Sequence, residues 1–153
     1  MKKLNVLLFI LLLCCSTFVF ASSAPADTKA GIPYPYTPAE GSIEELYKDM
    51  LVTTLDPVIS AEIEKQYGMP LLYGLYDVDF LHIDREAYRG FSFILKVRVK
   101  PFVGPHNTIG IDEITLSITP AGIKVENFAH KKSFEVPDYK KDNYPNLKMP
   151  PIS

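Results

Sequence analysis

A chain of 153 residues with 16 basic and 18 acidic side chains, a net charge of −2 and 47% hydrophobic residues has the size and composition of one folded domain. This balance lacks the broad basic surface that nucleic acid or anionic lipid requires, which excludes those partners. Two cysteines are too few for a disulfide-stapled scaffold or a cysteine-rich metal site.

Lys2 and Lys3 precede an almost unbroken apolar run over 6–20, followed by small and polar residues over 21–24. This order of charge, apolar core and small residues predicts a signal peptide over 1–21, cleaved after Ala21. Fifteen apolar residues in a helix reach about 22 Å, short of the roughly 30 Å of a bilayer's hydrocarbon, so a retained membrane anchor fits poorly. Cys14 and Cys15 both lie in this segment and leave with it. Cleavage also removes two basic residues and no acidic ones, so the 132 residues that follow carry a net charge of −4. The expectation is a protein secreted or associated with the cell envelope, with no stable membrane span after cleavage.

Residues 22–41 are rich in Ala, Ser, Pro, Gly and Tyr, and Pro33-Tyr34-Pro35-Tyr36-Thr37-Pro38 favours polyproline II; this is read as a linker. Ser42-Ile43-Glu44-Glu45 is a capping box that starts a helix, and Gly68 stops it. Ile43, Leu46, Tyr47, Met50, Leu51, Val58, Ile59 and Ile63 recur at three- and four-residue intervals and predict one core-facing stripe as far as Tyr67. Pro57 predicts a kink or break near residues 54–56.

Beyond Gly68 the period becomes alternating and four strands are expected. The first, over 75–83, reverses its phase after Phe80, which a bulge would explain. The second, over 91–99, sets Phe91, Phe93, Leu95, Val97 and Val99 on one face and Ser92, Lys96, Arg98 and Lys100 on the other. Ile114, Leu116 and Ile118 mark the third. Ile123 and Val125 open the fourth after a turn at Pro120-Ala121-Gly122, and the pair reads as a hairpin. The domain is therefore expected over 42–136, with an extended or disordered tail over 137–153. The fold class is α+β: an N-terminal kinked helix packed on a four-stranded antiparallel sheet, a two-layer arrangement similar to cystatin-like and NTF2-like folds.

No catalytic signature is present. The chain lacks a Gly-x-Ser-x-Gly elbow, a cysteine nucleophile after cleavage, a phosphate-binding glycine loop and a His-Glu-x-x-His helix. No catalytic residue, metal site or cofactor is assigned. His82, His106 and His130 show no metal-ligand spacing, and His82 and His130 are expected half-buried or at the surface. In the turn-rich run between strands two and three, His106 with Asp112 to orient it and Asn107 as donor forms a candidate binding site. The plainer reading is a wide turn with Asn107 bonded to its own backbone. Lys96, Arg98 and Lys100 form a second candidate, for an anionic polymer, unless Glu113 or Glu126 pairs with them across the sheet. Asp77 and Asp79 are a possible carboxylate pair on one strand face.

The chain resembles the short exported proteins of unknown function, mainly from spore-forming Gram-positive bacteria, catalogued as domain-of-unknown-function family 3888. The resemblance rests on Glu44-Glu45-Leu46-Tyr47-Lys48-Asp49-Met50, the strand over 90–99, Phe102-Val103-Gly104-Pro105-His106-Asn107-Thr108-Ile109-Gly110-Ile111-Asp112, and Val125-Glu126-Asn127-Phe128-Ala129-His130. It implies an exported bacterial protein and supplies no catalytic residues. The leading expectation is a non-enzymatic binding module for a peptide, wall polymer or small ligand. The alternatives are a small hydrolase-like or metal-dependent enzyme using His106 with Asp112, and a structural protein of envelope assembly.

Overall fold

A computed structural model describes residues 34–153; the expected signal peptide and residues 22–33 of the linker lie outside them. A long helix, α1 (Ile43–Tyr67), precedes a single 3₁₀ turn at Leu75–Asp77 and the strands β1 (Asp79–Arg85) and β2 (Phe93–Val99). A short pair, β3 (Phe102–Val103) and β4 (Asn107–Thr108), separates these from β5 (Gly110–Thr119) and β6 (Gly122–Ser133). The chain closes with a one-turn helix, α2 (Asp138–Lys141). The sheet order β1-β2-β5-β6 is an antiparallel meander, so this is an α+β domain with one N-terminal helix packed on a four-stranded antiparallel sheet.

Ser42 caps α1 as its sequence predicts: the Ser42 hydroxyl accepts from the Glu45 amide at 3.1 Å. The Glu45 carboxylate reaches back to the Gly41 amide at 2.7 Å, one residue earlier than the expected Ser42 amide. Gly68, at φ 74°, ends the helix in the left-handed region, and its amide donates to Glu64. The helix runs on through Pro57, so no break occurs at residues 54–56.

The buried stripe differs from the expected one. Val52, Leu55, Ile59, Ile63 and Tyr67 are buried to 1% exposure or less, with Leu51 and Val58 partly buried beside them. Ile43, Leu46, Tyr47 and Met50 are exposed, Met50 to 66%. The reason is angular drift: at about 100° per residue, Met50 lies nine residues before Ile59 and so points half a turn away. Apolar spacing is satisfied locally at both ends of the helix, but only the C-terminal two-thirds aligns with the sheet.

The sheet presents Phe80, Leu95, Val97, Val99, Ile114 and Leu116 to that stripe. The bulge in β1 falls between Phe80 and His82 and explains the reversal of phase there. Val99 is fully buried while Phe91, before the strand begins, is 73% exposed. β5 and β6 form the expected hairpin, pairing Thr119 with Gly122.

Both ends of the described chain pack on the outer strands. The Tyr36 amide donates to Phe80 of β1 at 3.0 Å, and the Tyr34 hydroxyl accepts from the Ile83 amide at 2.8 Å. At the other edge, Ile152 bridges in parallel to His130 of β6, and the Ser153 amide donates to the His130 carbonyl at 2.9 Å. Tyr144 and Leu147 pack against the core, and the Tyr144 hydroxyl accepts from the Gly104 amide. The tail expected to be extended or disordered is thus a packed strap, because two aromatic or aliphatic side chains and several backbone bonds repay its ordering.

The orientation of α1 sets two expectations. Ile59→Ala should lower the free energy of unfolding by about 2–5 kcal/mol, whereas Met50→Ala should change it by less than about 0.5 kcal/mol. Urea denaturation of both variants checks this, and equal losses would contradict the helix orientation.

Candidate functional site

β5 and β6 place Asp112 directly opposite His130 on the inner face, beneath the last residue of α1. Both are buried, at 0% and 1% exposure. His130 was expected at or near the surface; the polar strand residues around it concealed an inward position. His130 Nδ1 lies 2.6 Å from Asp112 Oδ1, and the Tyr67 hydroxyl donates to Asp112 Oδ2 at 2.8 Å. The other ring nitrogen, His130 Nε2, lies 2.7 Å from the Ser133 hydroxyl. In the tautomer that carries the ring proton on Nδ1, facing the carboxylate, Nε2 accepts from the Ser133 hydroxyl.

Ser133 reaches this position through a bulge. Residues three apart on a regular strand point to opposite faces. Here Asp112 pairs with His130 and Ile111 with Lys132, so Lys131 is the extra residue. The insertion returns Ser133, paired with Gly110, to the face of Asp112 and His130. Gly110 is required for a second reason. A Cβ at Gly110 would collide with the Tyr67 hydroxyl and lie 3.1 Å from the His130 ring. Tyr67 stands edge-on to His130, with ring planes at 81°, in the space that a side chain would fill.

Burial lifts the Asp112 carboxyl above its ordinary range, against the hydrogen bonds from His130 and Tyr67 that pull it down. Burial, with the adjacent Asp112 carboxylate, pushes the Tyr67 hydroxyl far above its usual value, so Tyr67 remains a donor at every physiological pH.

Asp112, His130 and Tyr67 are sealed from solvent, but Ser133 is exposed and lines a cavity of about 530 Å³. Its walls come from the strap and the end of β6: Phe134, Val136, Tyr144, Leu147 and Met149, with Glu135 and Lys141 as the charged members. The Phe134 amide donates to Ile109 at 2.8 Å, while the Glu135 and Val136 amides bond to no other described residue.

The other candidates are placed elsewhere. His106 sits at the turn of the β3–β4 hairpin at φ 59°, exposed, with its ring 4.5 Å from that of Phe102. The expected pairing of His106 with Asp112 does not form, because Asp112 is turned inward to His130 and Tyr67. Asn107 donates to the Val103 carbonyl at 3.3 Å, as a turn-forming residue does. Lys96 and Arg98 both reach Glu113, at 2.7 and 2.8 Å, and Lys100 reaches Asp77 at 2.8 Å. Asp77 belongs to the 3₁₀ turn, so it does not share a strand with Asp79. Among the described residues, no group of three or more His, Cys, Asp or Glu side chains is placed to hold a metal ion.

The model of the family described as "Protein of unknown function (DUF3888)" matches residues 47–132, more than half of the chain. The chain belongs to the DUF3888 family. No curated protein and no solved structure matches it. The DUF3888 match spans Tyr67, Gly110, Asp112 and His130 and stops one residue before Ser133. Two of the runs that carried the resemblance end on Asp112 and His130, the two residues that meet.

The close approach at Gly110 predicts non-additive energetics. Gly110→Ala should destabilise by about 1–3 kcal/mol through overpacking alone, and combining it with Tyr67→Phe should cost less than the two single changes together. Chemical denaturation of the three variants measures this; strict additivity would contradict the contact.

Glu113 predicts a pH dependence. Burial raises its carboxyl, but the hydrogen bonds and charges of Lys96 and Arg98 outweigh that and hold it below its ordinary range. A carboxyl lowered in the folded state stabilises above its unfolded pKa, and the contribution disappears as pH falls through the folded value. Glu113→Gln should therefore lower Tm at pH 7, with the difference from the parent chain closing below about pH 4. Thermal melts from pH 7 to pH 3 give the comparison, and a constant difference would refute the ion pairing.

Proposed function

We propose that this protein is exported by its N-terminal segment and acts in the bacterial envelope or medium as a binding module for a small ligand or an apolar side group of a larger one. The observation that carries this reading is the cavity beside Ser133. It is large enough for a small molecule, mostly apolar in its walls, and supplied with one hydroxyl anchored by a buried polar chain. Small-molecule sites have this composition: apolar walls and a few fixed polar groups. The cation stripe is a weaker candidate, since Lys96 and Arg98 are already paired with Glu113 and Lys100 with Asp77. Among the described residues, no helix is long and apolar enough to cross a membrane.

The chain has no tryptophan, so one placed at the cavity is a unique reporter. Met149 lines the cavity and is 39% exposed, which leaves room for the exchange. Met149→Trp should show a saturable fluorescence change with at least one member of a panel of wall-derived muropeptides, acylated peptides and medium-chain fatty acids. A flat response to the entire panel would refute binding at this cavity.

A further inference from the structure

We propose that Ser133 is a nucleophile, activated by His130 and oriented through Asp112, that transfers the acyl group of an ester to water. This rests on the reading that the cavity receives a ligand.

Three features separate the arrangement from a polar network that only satisfies itself. First, the atoms are in functional order: carboxylate on Nδ1 at 2.6 Å, hydroxyl on Nε2 at 2.7 Å. Second, the second oxygen of the carboxylate is held by the Tyr67 hydroxyl, which also lies 3.4 Å from His130 Nδ1 and so fixes the carboxylate against the ring. Third, burial stops at the hydroxyl: His130 and Asp112 are closed to water while Ser133 opens on the cavity. A network serving stability alone gains nothing from ending at an open pocket.

The chemistry balances with water as the sole co-reactant. Ser133 Oγ forms a bond to the ester carbonyl carbon and gives its proton to His130 Nε2. The carbonyl π pair moves to oxygen, and the Glu135 and Val136 amides, which bond to no other described residue and belong to residues lining the cavity, are the backbone donors this reading assigns to it. The tetrahedral species collapses, the ester C–O bond breaks, and the leaving alcohol takes the proton from His130. Water then attacks the acyl–Ser133 carbon, again losing its proton to Nε2. Release of the carboxylic acid returns that proton to Ser133. His130 thus serves as base and acid in turn, Asp112 and Tyr67 are positioning residues, and the substrate class is an ester with a small apolar acyl group that fits among Val136, Leu147 and Met149.

The test uses the chain without its signal peptide, a fluorophosphonate probe and p-nitrophenyl butyrate. Ser133 is exposed, so Ser133→Ala should fold normally. Intact mass and peptide mapping should show one phosphonyl adduct on Ser133, absent from Ser133→Ala, with ester turnover reduced about 10³-fold or more in that variant. Asp112→Asn should keep the Ser133 hydroxyl in place yet lower kcat with little change in KM, the split expected of a positioning residue. In the Met149→Trp background, butyrate ester that alters the fluorescence with no adduct on Ser133, and turnover unchanged by Ser133→Ala, would overturn acyl transfer and leave the binding reading intact. Absence of both the adduct and any fluorescence response would overturn the two together.

Discussion

A carboxylate without water must be surrounded by donors, and the way Asp112 meets that requirement organises the rest of the domain. Its two oxygens take one bond from the end of α1 and one from β6. The helix and the outermost hairpin are therefore joined at a point where neither could slide without leaving a buried carboxyl oxygen unpaired, a loss of about 1–3 kcal/mol. Gly68 ends the helix immediately after Tyr67 delivers its hydroxyl. Gly110 leaves the space for that hydroxyl, and the Lys131 bulge brings Ser133 under the ring. Each of these otherwise separate features serves one buried acid.

The neighbouring residue solves the opposite problem. Asp112 and Glu113 are adjacent on β5 and so face opposite sides of the sheet. Asp112, on the inner side, has a hydroxyl and an imidazole as partners and a raised pKa; Glu113, on the outer side, has two cations and a lowered one. The outer pairing also accounts for the basic stripe of β2, whose charges serve the sheet itself.

The overall class was legible in the sequence because each element carries its own local signal. The Ser42 capping box, the alternation of β2 and the turn before Gly122 are decided by residues a few positions apart. The candidate site was not legible, since Tyr67, Asp112, His130 and Ser133 come from three elements and their convergence depends on a one-residue bulge that no local pattern announces. Asp112 was singled out for orienting a histidine, but the partner is His130, across the hairpin, and not His106, nearer in sequence. Ser133 stood in a Lys-Lys-Ser run that reads as solvated surface, and its inward turn follows only from the pairing of Gly110. The helix stripe failed for a different reason: eight apolar residues at good local spacing still precess around a 25-residue helix, and only the sheet decides which arc is covered.

The occupied margins of the sheet limit how this domain can meet anything else. Strand addition needs a free row of amides and carbonyls. On β6 that row is engaged at His130 by Ile152 and Ser153, and on β1 it is engaged at Phe80 by Tyr36. An incoming peptide would have to displace Tyr36 from Phe80, or Ile152 and Ser153 from His130, to pair backbone to backbone at those two points.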